Sequence, residues 1–390
     1  MHKETHTAVM LNCWNQKLGE ITFANKPSEF HNLIRKVSRF VTEEKTVVYG
    51  LENAYGYGRP LAVWLIEKGC AVKDVNTALS FAQRKSVPMY QKSDSYDAEA
   101  VALVLINMLD RLPDAVPDDK YWTLSQLVNR RDKICIHLHR LKNQLHEQLC
   151  VVYPSYKKFF SDISRNTALY FFGTYPSPGH VTGLTAEQLA SELRPVSHNS
   201  CSVKRAEKIL ELVHTDGQTK RDHQESRDAI TRSLVTDLMH CRNQLGEIEE
   251  AIESILPDFQ CTLMTMPGID MITAAKILSE IGDINRFSNA NKLAKFAGIA
   301  PVNFSSAGKG KDMCPKQGNR RLQAIFYFLA IQMIQISING TPRNRIFREY
   351  YLKRVEEGKN KQQALICIAR RLVNIVYGML KNHTEYRNPE

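Results

Sequence analysis

Three carboxylates are the first residues whose type and spacing could do chemistry. Glu52 follows an apolar run, Thr46-Val47-Val48-Tyr49, separated from it only by Gly50-Leu51. In open α/β sheets, ligand-binding groups gather at the carboxyl ends of strands. Asp94 and Asp97 are three residues apart and share one face at the start of a helix. Three carboxylates brought to one point repel unless a cation neutralises them, and hard oxygen ligands suit Mg²⁺. Two such ions about 4 Å apart can clamp the attacking and leaving oxygens of a phosphoryl transfer. The same spacing also fits two acids that simply favour a helix N-terminus.

The second group lies in Pro301-Val302-Asn303-Phe304-Ser305-Ser306-Ala307-Gly308-Lys309-Gly310-Lys311, which leads through Lys316-Gln317-Gly318-Asn319 to Arg320-Arg321. A serine ringed by cations is a nucleophile beside phosphate-neutralising groups. By composition alone, an idle Gly/Ser/Lys surface loop is the simpler reading. The third is the turn Met264-Thr265-Met266-Pro267-Gly268-Ile269-Asp270 before a helix at 271–280, where backbone N–H groups could cradle a phosphate. Pro267-Gly268-Ile269 and the following Ala and Ile-Leu positions resemble helix-hairpin-helix binders of the DNA backbone. Asp270 stands where a second glycine is usual and would repel phosphate. His2 and His6 are four apart without a third ligand, which reads as chance spacing.

These residues need a frame. Residues 7–14 read as a strand, Gly19 lies near a turn, and 21–23 return. An amphipathic helix opens at Pro27-Ser28, a buried strand covers 46–49, a helix runs from about 60 to 68, and 71–75 is a fourth strand. Another helix starts near Asp94. The order ββ-α-β-α-β-α predicts an α/β layer over residues 1–112. A Pro/Asp-rich stretch at 113–119 marks a boundary. Residues 118–257 are expected to be all-α: Leu124, Leu127, Ile134, Leu138, Leu141 and Leu145 repeat at helical spacing, and Leu234, Leu238, Cys241, Leu245, Ile248, Ile252 and Ile255 step by fours and threes. That near-heptad pattern predicts a helical hairpin or coiled coil, packed either within the chain or across a dimer. Thr185 and Gln188 form a capping box. Residues 260–390 read as mostly helical with one insertion at 303–319 and a last helix at about 360–381.

Composition narrows the class. Charged residues make up 24% and hydrophobic ones 43%, which excludes collagen-like, low-complexity and wholly disordered chains. No run of 18 apolar residues predicts a membrane span, no apolar leader is visible after Met1, and a cytoplasmic protein is expected. The nine cysteines form no Cys-x-x-Cys pair, so reduced thiols are expected rather than a zinc knuckle. The net charge is +11, and residues 291–390 hold 18 Lys and Arg against 6 Asp and Glu, so the whole excess sits in the last quarter. A polyanion is the natural partner, nucleic acid before membrane.

Gly50-Leu51-Glu52 followed by Lys92-Ser93-Asp94-Ser95-Tyr96-Asp97-Ala98 resembles the N-terminal domain of the DEDD transposases of the insertion sequence 110 family. Phe296-Ala297-Gly298-Ile299-Ala300-Pro301, the serine segment and Gly318-Asn319-Arg320-Arg321-Leu322 resemble that family's C-terminal transposase domain. The resemblance implies a RuvC-like, ribonuclease H-type N-terminal fold whose carboxylates, here Glu52, Asp94 and Asp97, bind Mg²⁺. It implies that Ser306, with Ser305 as an adjacent rival, attacks DNA to give a covalent phosphoserine. Gly268, Lys309, Lys311, Lys316, Arg320 and Arg321 would hold nucleic-acid backbones. A structured bridge RNA would guide the protein, which would act as a homo-oligomer at the nucleoid. The family pattern opens on a strand ending Gly-Ile-Asp-x-x-Lys, whose Asp would fall immediately before Met1. The chain as written is therefore expected to lack the first strand and first ligand, and to be unstable or inactive. Two other functions fit the residues: a Holliday-junction-type nuclease using the carboxylates alone, and a non-catalytic nucleic-acid-binding remnant.

Overall fold

The computed structural model describes residues 1–41, 46–86, 93–117, 119–217, 222–300, 302–306, 309–313 and 318–387. The chain is mostly helical with three two-stranded sheets, and it divides into two compact units. The first comprises Met1–Thr123 together with Asp283–Ser288; the second comprises Leu124–Gly282 and Asn289–Glu390.

In the first unit, β1 (Thr5–Leu11) and β2 (Lys17–Ala24) form an antiparallel hairpin whose register runs from Thr5 opposite Ala24 to Met10 opposite Gly19. The turn falls at 12–16, because the Asn12 carboxamide accepts from the backbone N–H groups of Trp14 and Gln16 at 3.0 and 2.9 Å. Gly19 accordingly lies inside β2, not at the turn its sequence position suggests. Helix α1 (Phe30–Val37) buries Phe30, Leu33 and Val37. β3 (Val48–Glu52) pairs in parallel with β4 (Ala71–Val75) across helix α2 (Arg59–Glu67), a βαβ unit with Glu52 at the end of its first strand. Two helices follow. α3 (Thr77–Lys85) is capped by the Asn76 side chain. α4 (Asp94–Met108) is capped by Ser93, whose hydroxyl accepts from the Tyr96 N–H. β1–β2 and β3–β4 remain separate sheets. From the far end of the sequence, Asp283–Ser288 joins this unit. Burial lowers the Arg286 pKa there, while Tyr55 and Asp74 oppose the shift.

In the second unit, α5 (Asp119–Val152, entering from the first unit) and α10 (Gln224–Ile255) are long helices. Leu141, Leu145 and Leu149 of the one share a core with Val235, Leu238 and Cys241 of the other. Arg131 donates twice to Glu249 at 2.7 and 2.8 Å across the pair. The near-heptad face of α10 is thus used inside the chain. Between them run α6 (Tyr156–Phe159), α7 (Asn166–Thr174), α8 (Ala186–Val196), which begins with the expected Thr185/Gln188 capping box, and α9 (Val203–Asp216). Tyr153, Phe159, Phe171 and Phe172 are all buried in one aromatic cluster.

Beside that core, buried Asp228 accepts from Ser177 Oγ at 3.1 Å, His180 Nε2 at 2.8 Å and Gln224 Nε2 at 2.8 Å. It ties the turn at 177–180 to α10. Removing such an acceptor strands the buried Ser177 hydroxyl, and a buried unsatisfied group costs more than the bond returns. Asp228→Ala is expected to destabilise the protein by about 2–4 kcal/mol in urea unfolding, with Asp228→Asn less affected. An effect within about 0.5 kcal/mol would mean that Asp228 pins nothing.

The unit continues with α11 (Met271–Ile281), α12 (Ala290–Phe296), the antiparallel hairpin of β5 (Val302–Ser306) and β6 (Lys309–Met313), α13 (Arg320–Ile334), α14 (Arg345–Glu356) and α15 (Lys361–Asn382). The insertion read as an irregular loop therefore contains a β-hairpin. Among the described residues, α15 alone is long and apolar enough to span a membrane. It buries Ala364, Ile368, Ala369, Leu372, Val373 and Val376 within the protein and is a core helix.

Candidate active site

The first unit holds a cavity of about 870 Å³ that opens to solvent. Every residue from His6 to Cys13 lines it, and so does every residue from Thr46 to Glu52. A pocket against a strand's face meets alternate residues, whereas one along its edge meets each in turn. The cavity therefore runs along the edges of β1 and β3. Leu33, Val37, Leu61 and Leu65 contribute from α1 and α2; Asp94, Asp97, Ala98, Val101 and Leu105 contribute from α4. His6, on β1, is buried, and burial lowers its pKa while Asn25 opposes the shift. It is not part of a helical pair with His2.

The structure thus sets Glu52, Asp94 and Asp97 on the wall of one cavity, each from the element its sequence position implied. It does not converge them. Ser80 Oγ donates to Glu52 Oε1 at 3.0 Å, Arg84 Nη1 pairs with Asp97 Oδ1 at 2.8 Å, and His2 Nε2 lies 3.2 Å from Asp94 Oδ1. Among the described residues, no three His, Cys, Asp or Glu side chains come together closely enough to hold a metal ion. The donor chemistry suits Mg²⁺, but each carboxylate is already engaged by the protein. Sequence reasoning missed Ser80 and Arg84, and it read His2 as chance spacing from His6. Ser80 and Arg84 ride on α3, where the sequence reading placed no helix.

In the second unit, Ser306 ends β5 and stands opposite Lys309 in the hairpin; Ser305 stands opposite Gly310. Lys311 faces Phe304 in register, and Lys316 lies outside the described residues. The segment departs from α12 at Gly298 and returns to α13 at Gly318. Its two ends are clamped by Asn319 N–H donating to Phe296 O at 2.7 Å and Gln323 Nε2 donating to Gly298 O at 2.7 Å. Asn319 also caps α13 through Leu322 N at 2.9 Å. Arg320 and Arg321 on its first turn are exposed. Arg321 Nη1 donates to Asn129 Oδ1 and pairs with Glu280 Oε1 at 3.3 Å.

The Pro267-Gly268 turn precedes α11 as expected, but Asp270 caps the helix by accepting from Thr273 N at 2.7 Å. Gly268 has φ +94° and packs against Gln332 and Met333. Both the helix N-terminus and the glycine are engaged inside the protein.

A transposase family model of the DEDD, IS110 type matches residues 1–154, and the IS116/IS110/IS902 transposase model matches residues 261–352. The first match carries the three carboxylates and the second carries the serine hairpin, in the order the sequence motifs have. The chain belongs to the IS110 family of transposases. Among relatives in this family, the IS116 insertion element 44.8 kDa protein of Streptomyces clavuligerus is 27% identical over 75% of this chain and 71% of its own length. The IS900 insertion element 42 kDa protein of Mycobacterium paratuberculosis is 24% identical over 98% of this chain and 95% of its own. A pilin gene-inverting protein of Moraxella bovis is 25% identical over 43% of this chain and 53% of its own.

Proposed function

We propose that this chain is a site-specific DNA transposase-recombinase in which the Ser306 hydroxyl attacks DNA and Glu52, Asp94 and Asp97 bind Mg²⁺. One observation carries the reading: the three carboxylates line a single cavity in the unit matched by the DEDD transposase model, while the serine closes a hairpin in the region matched by the second model. In the proposed step, a bond forms between Ser306 Oγ and the scissile phosphorus. The bond from phosphorus to a deoxyribose oxygen breaks, and that oxygen leaves as a hydroxyl, taking up one proton for the one that Ser306 Oγ gives up. Energy stored in the phosphoserine ester allows rejoining to a new strand without a further energy source.

Bound Mg²⁺ would offset the negative charge on the phosphate. The chain's own residues must first free their carboxylates: Arg84 from Asp97, His2 from Asp94 and Ser80 from Glu52. Arg84 competes with a cation for Asp97, and a charge pair at a partly exposed site is worth about 1 kcal/mol. Arg84→Ala is therefore expected to tighten Mg²⁺ binding about fivefold by calorimetric titration. Unchanged or weaker binding would show that the pair does not guard the site.

The RuvC-like fold, the division into 1–112, 118–257 and 260–390, a homo-oligomer acting at the nucleoid, and guidance by an element-encoded RNA complete this reading. The basic last quarter supports the nucleic-acid partners, with Lys309, Lys311, Lys316 and Arg320 near the serine in sequence. Incubating the protein with DNA carrying element ends, with Mg²⁺ or with chelator, tests it on a denaturing gel. A Mg²⁺-dependent covalent protein–DNA adduct would support the reading, and formed by the chain as written it would overturn the expectation that this chain is inactive. Cutting without an adduct would favour the Holliday-junction-type nuclease; binding without cutting would favour the non-catalytic remnant.

A further inference from the structure

The base of the serine segment holds one carboxylate that the carboxylate–serine scheme does not use. Glu280, on the last turn of α11, is only 18% exposed at its side chain and accepts from two residues of the returning strand-to-helix junction. Asn319 Nδ2 donates to its Oε2 at 2.6 Å, and Arg321 Nη1 lies 3.3 Å from its Oε1. Asn319 is thereby held at three points: its N–H binds Phe296 O, its Oδ1 caps α13, and its Nδ2 is fixed by Glu280. Arg321 reaches on to Asn129 of α5. One turn back along α11, Lys276 Nζ pairs with Asp132, also on α5, at 2.8 Å. Two polar bridges, both anchored on α11, therefore fasten the neck of the serine segment to α5.

We infer that Glu280 is a positioning residue for the serine hairpin, and that Arg321 acts as its latch to α5 rather than as a phosphate contact. A carboxylate sheltered from water holds its partners more firmly than one in bulk solvent. It fixes where α13 begins, and so where the chain carrying Ser306 re-enters the fold. Arg321, by contrast, has its guanidinium turned to an acid and an amide of the protein itself. The role of Glu280 in catalysis rests on the serine reading above; its role in holding the neck does not.

Two measurements separate these roles. Hydrogen exchange on the full chain reads the neck alone. Glu280→Ala is expected to speed exchange at the Asn319 and Leu322 amides at least tenfold, with α15 amides unchanged; equal protection in both proteins would overturn the role of Glu280 in holding the neck. Adduct formation reads catalysis. At saturating DNA, Glu280→Ala is expected to slow it at least tenfold while the half-saturating DNA concentration moves less than twofold. Glu280→Gln, which keeps an acceptor for Asn319, should recover most of the rate. Arg321→Gln should leave the slope of log affinity against log salt unchanged. A phosphate contact would lower that slope by about 0.9, and such a drop would overturn the latch. If the wild-type chain forms no adduct, the serine reading fails, and the exchange measurement still decides the role of Glu280.

Discussion

Ser306→Ala is expected to abolish the covalent protein–DNA adduct, lowering its rate by about a thousandfold or more, while thermal stability stays within about 1 kcal/mol of the parent. The effect is large because a covalent mechanism has no substitute for its nucleophile: water can cut a strand, but it cannot leave protein attached to it. The variant also distinguishes the two enzymatic readings. A carboxylate-only nuclease keeps its full cutting rate with alanine at this position. Ser305→Ala is expected to retain the adduct; if instead it loses the adduct and Ser306→Ala does not, the nucleophile is Ser305. Ser306 pairs through its backbone with Lys309 at the closed end of the hairpin. A cation adjacent in the ladder is well placed in sequence to accompany an attack on phosphate, so Lys309→Ala is a natural companion variant.

The second large effect is structural. Gly318→Ala is expected to destabilise the second unit by at least ~2 kcal/mol, read by thermal or urea unfolding. A Cβ at position 318 would lie 2.6 Å from Gly298 Cα and 2.7 Å from Gly298 N, distances at which backbone must move. The φ of +125° adds a conformation that side chains resist. Gly340 provides the control: its φ is +79°, and nothing lies within 4 Å of the added carbon. Gly340→Ala should therefore carry backbone strain alone, about 1 kcal/mol. If the two substitutions cost the same, the backbone contact between Gly298 and Gly318 does not hold the neck. Because the neck frames Ser306, Gly318→Ala should also slow adduct formation.

Sequence patterns read local structure well. The strand at 71–75 is where β4 lies, the helix opening at Asp94 is α4, the Thr185 capping box forms, and the helix placed at 360–381 is α15. Each depends on near neighbours: a cap three residues from its donor, or apolar residues at one period. The misses depend on distant ones. Composition marked 303–319 as loop, yet cross-strand pairing joins Val302–Ser306 to Lys309–Met313 in a hairpin, since a ladder depends on register more than on residue type. Ser80, Arg84 and His2 reach the carboxylates from 28, 13 and 92 residues away, so no motif could join them. The Asn12 side chain moved the first turn, and Asp283–Ser288 joined a unit formed by the first third of the chain. The three candidate carboxylates were legible as residues; that each is already engaged by a neighbour was not.

The cavity along β1 and β3 has a consequence for small apolar molecules. It opens to solvent, and Leu33, Val37, Leu61, Leu65, Val101 and Leu105 are among its lining. An aromatic dye that brightens on leaving water should enter it and fluoresce with the folded protein. The chain carries its own reporter, because its three tryptophans, Trp14, Trp64 and Trp122, all fall in that unit. Dye bound there should quench their emission by energy transfer. Dye fluorescence with unchanged tryptophan emission would mean that the dye sits elsewhere.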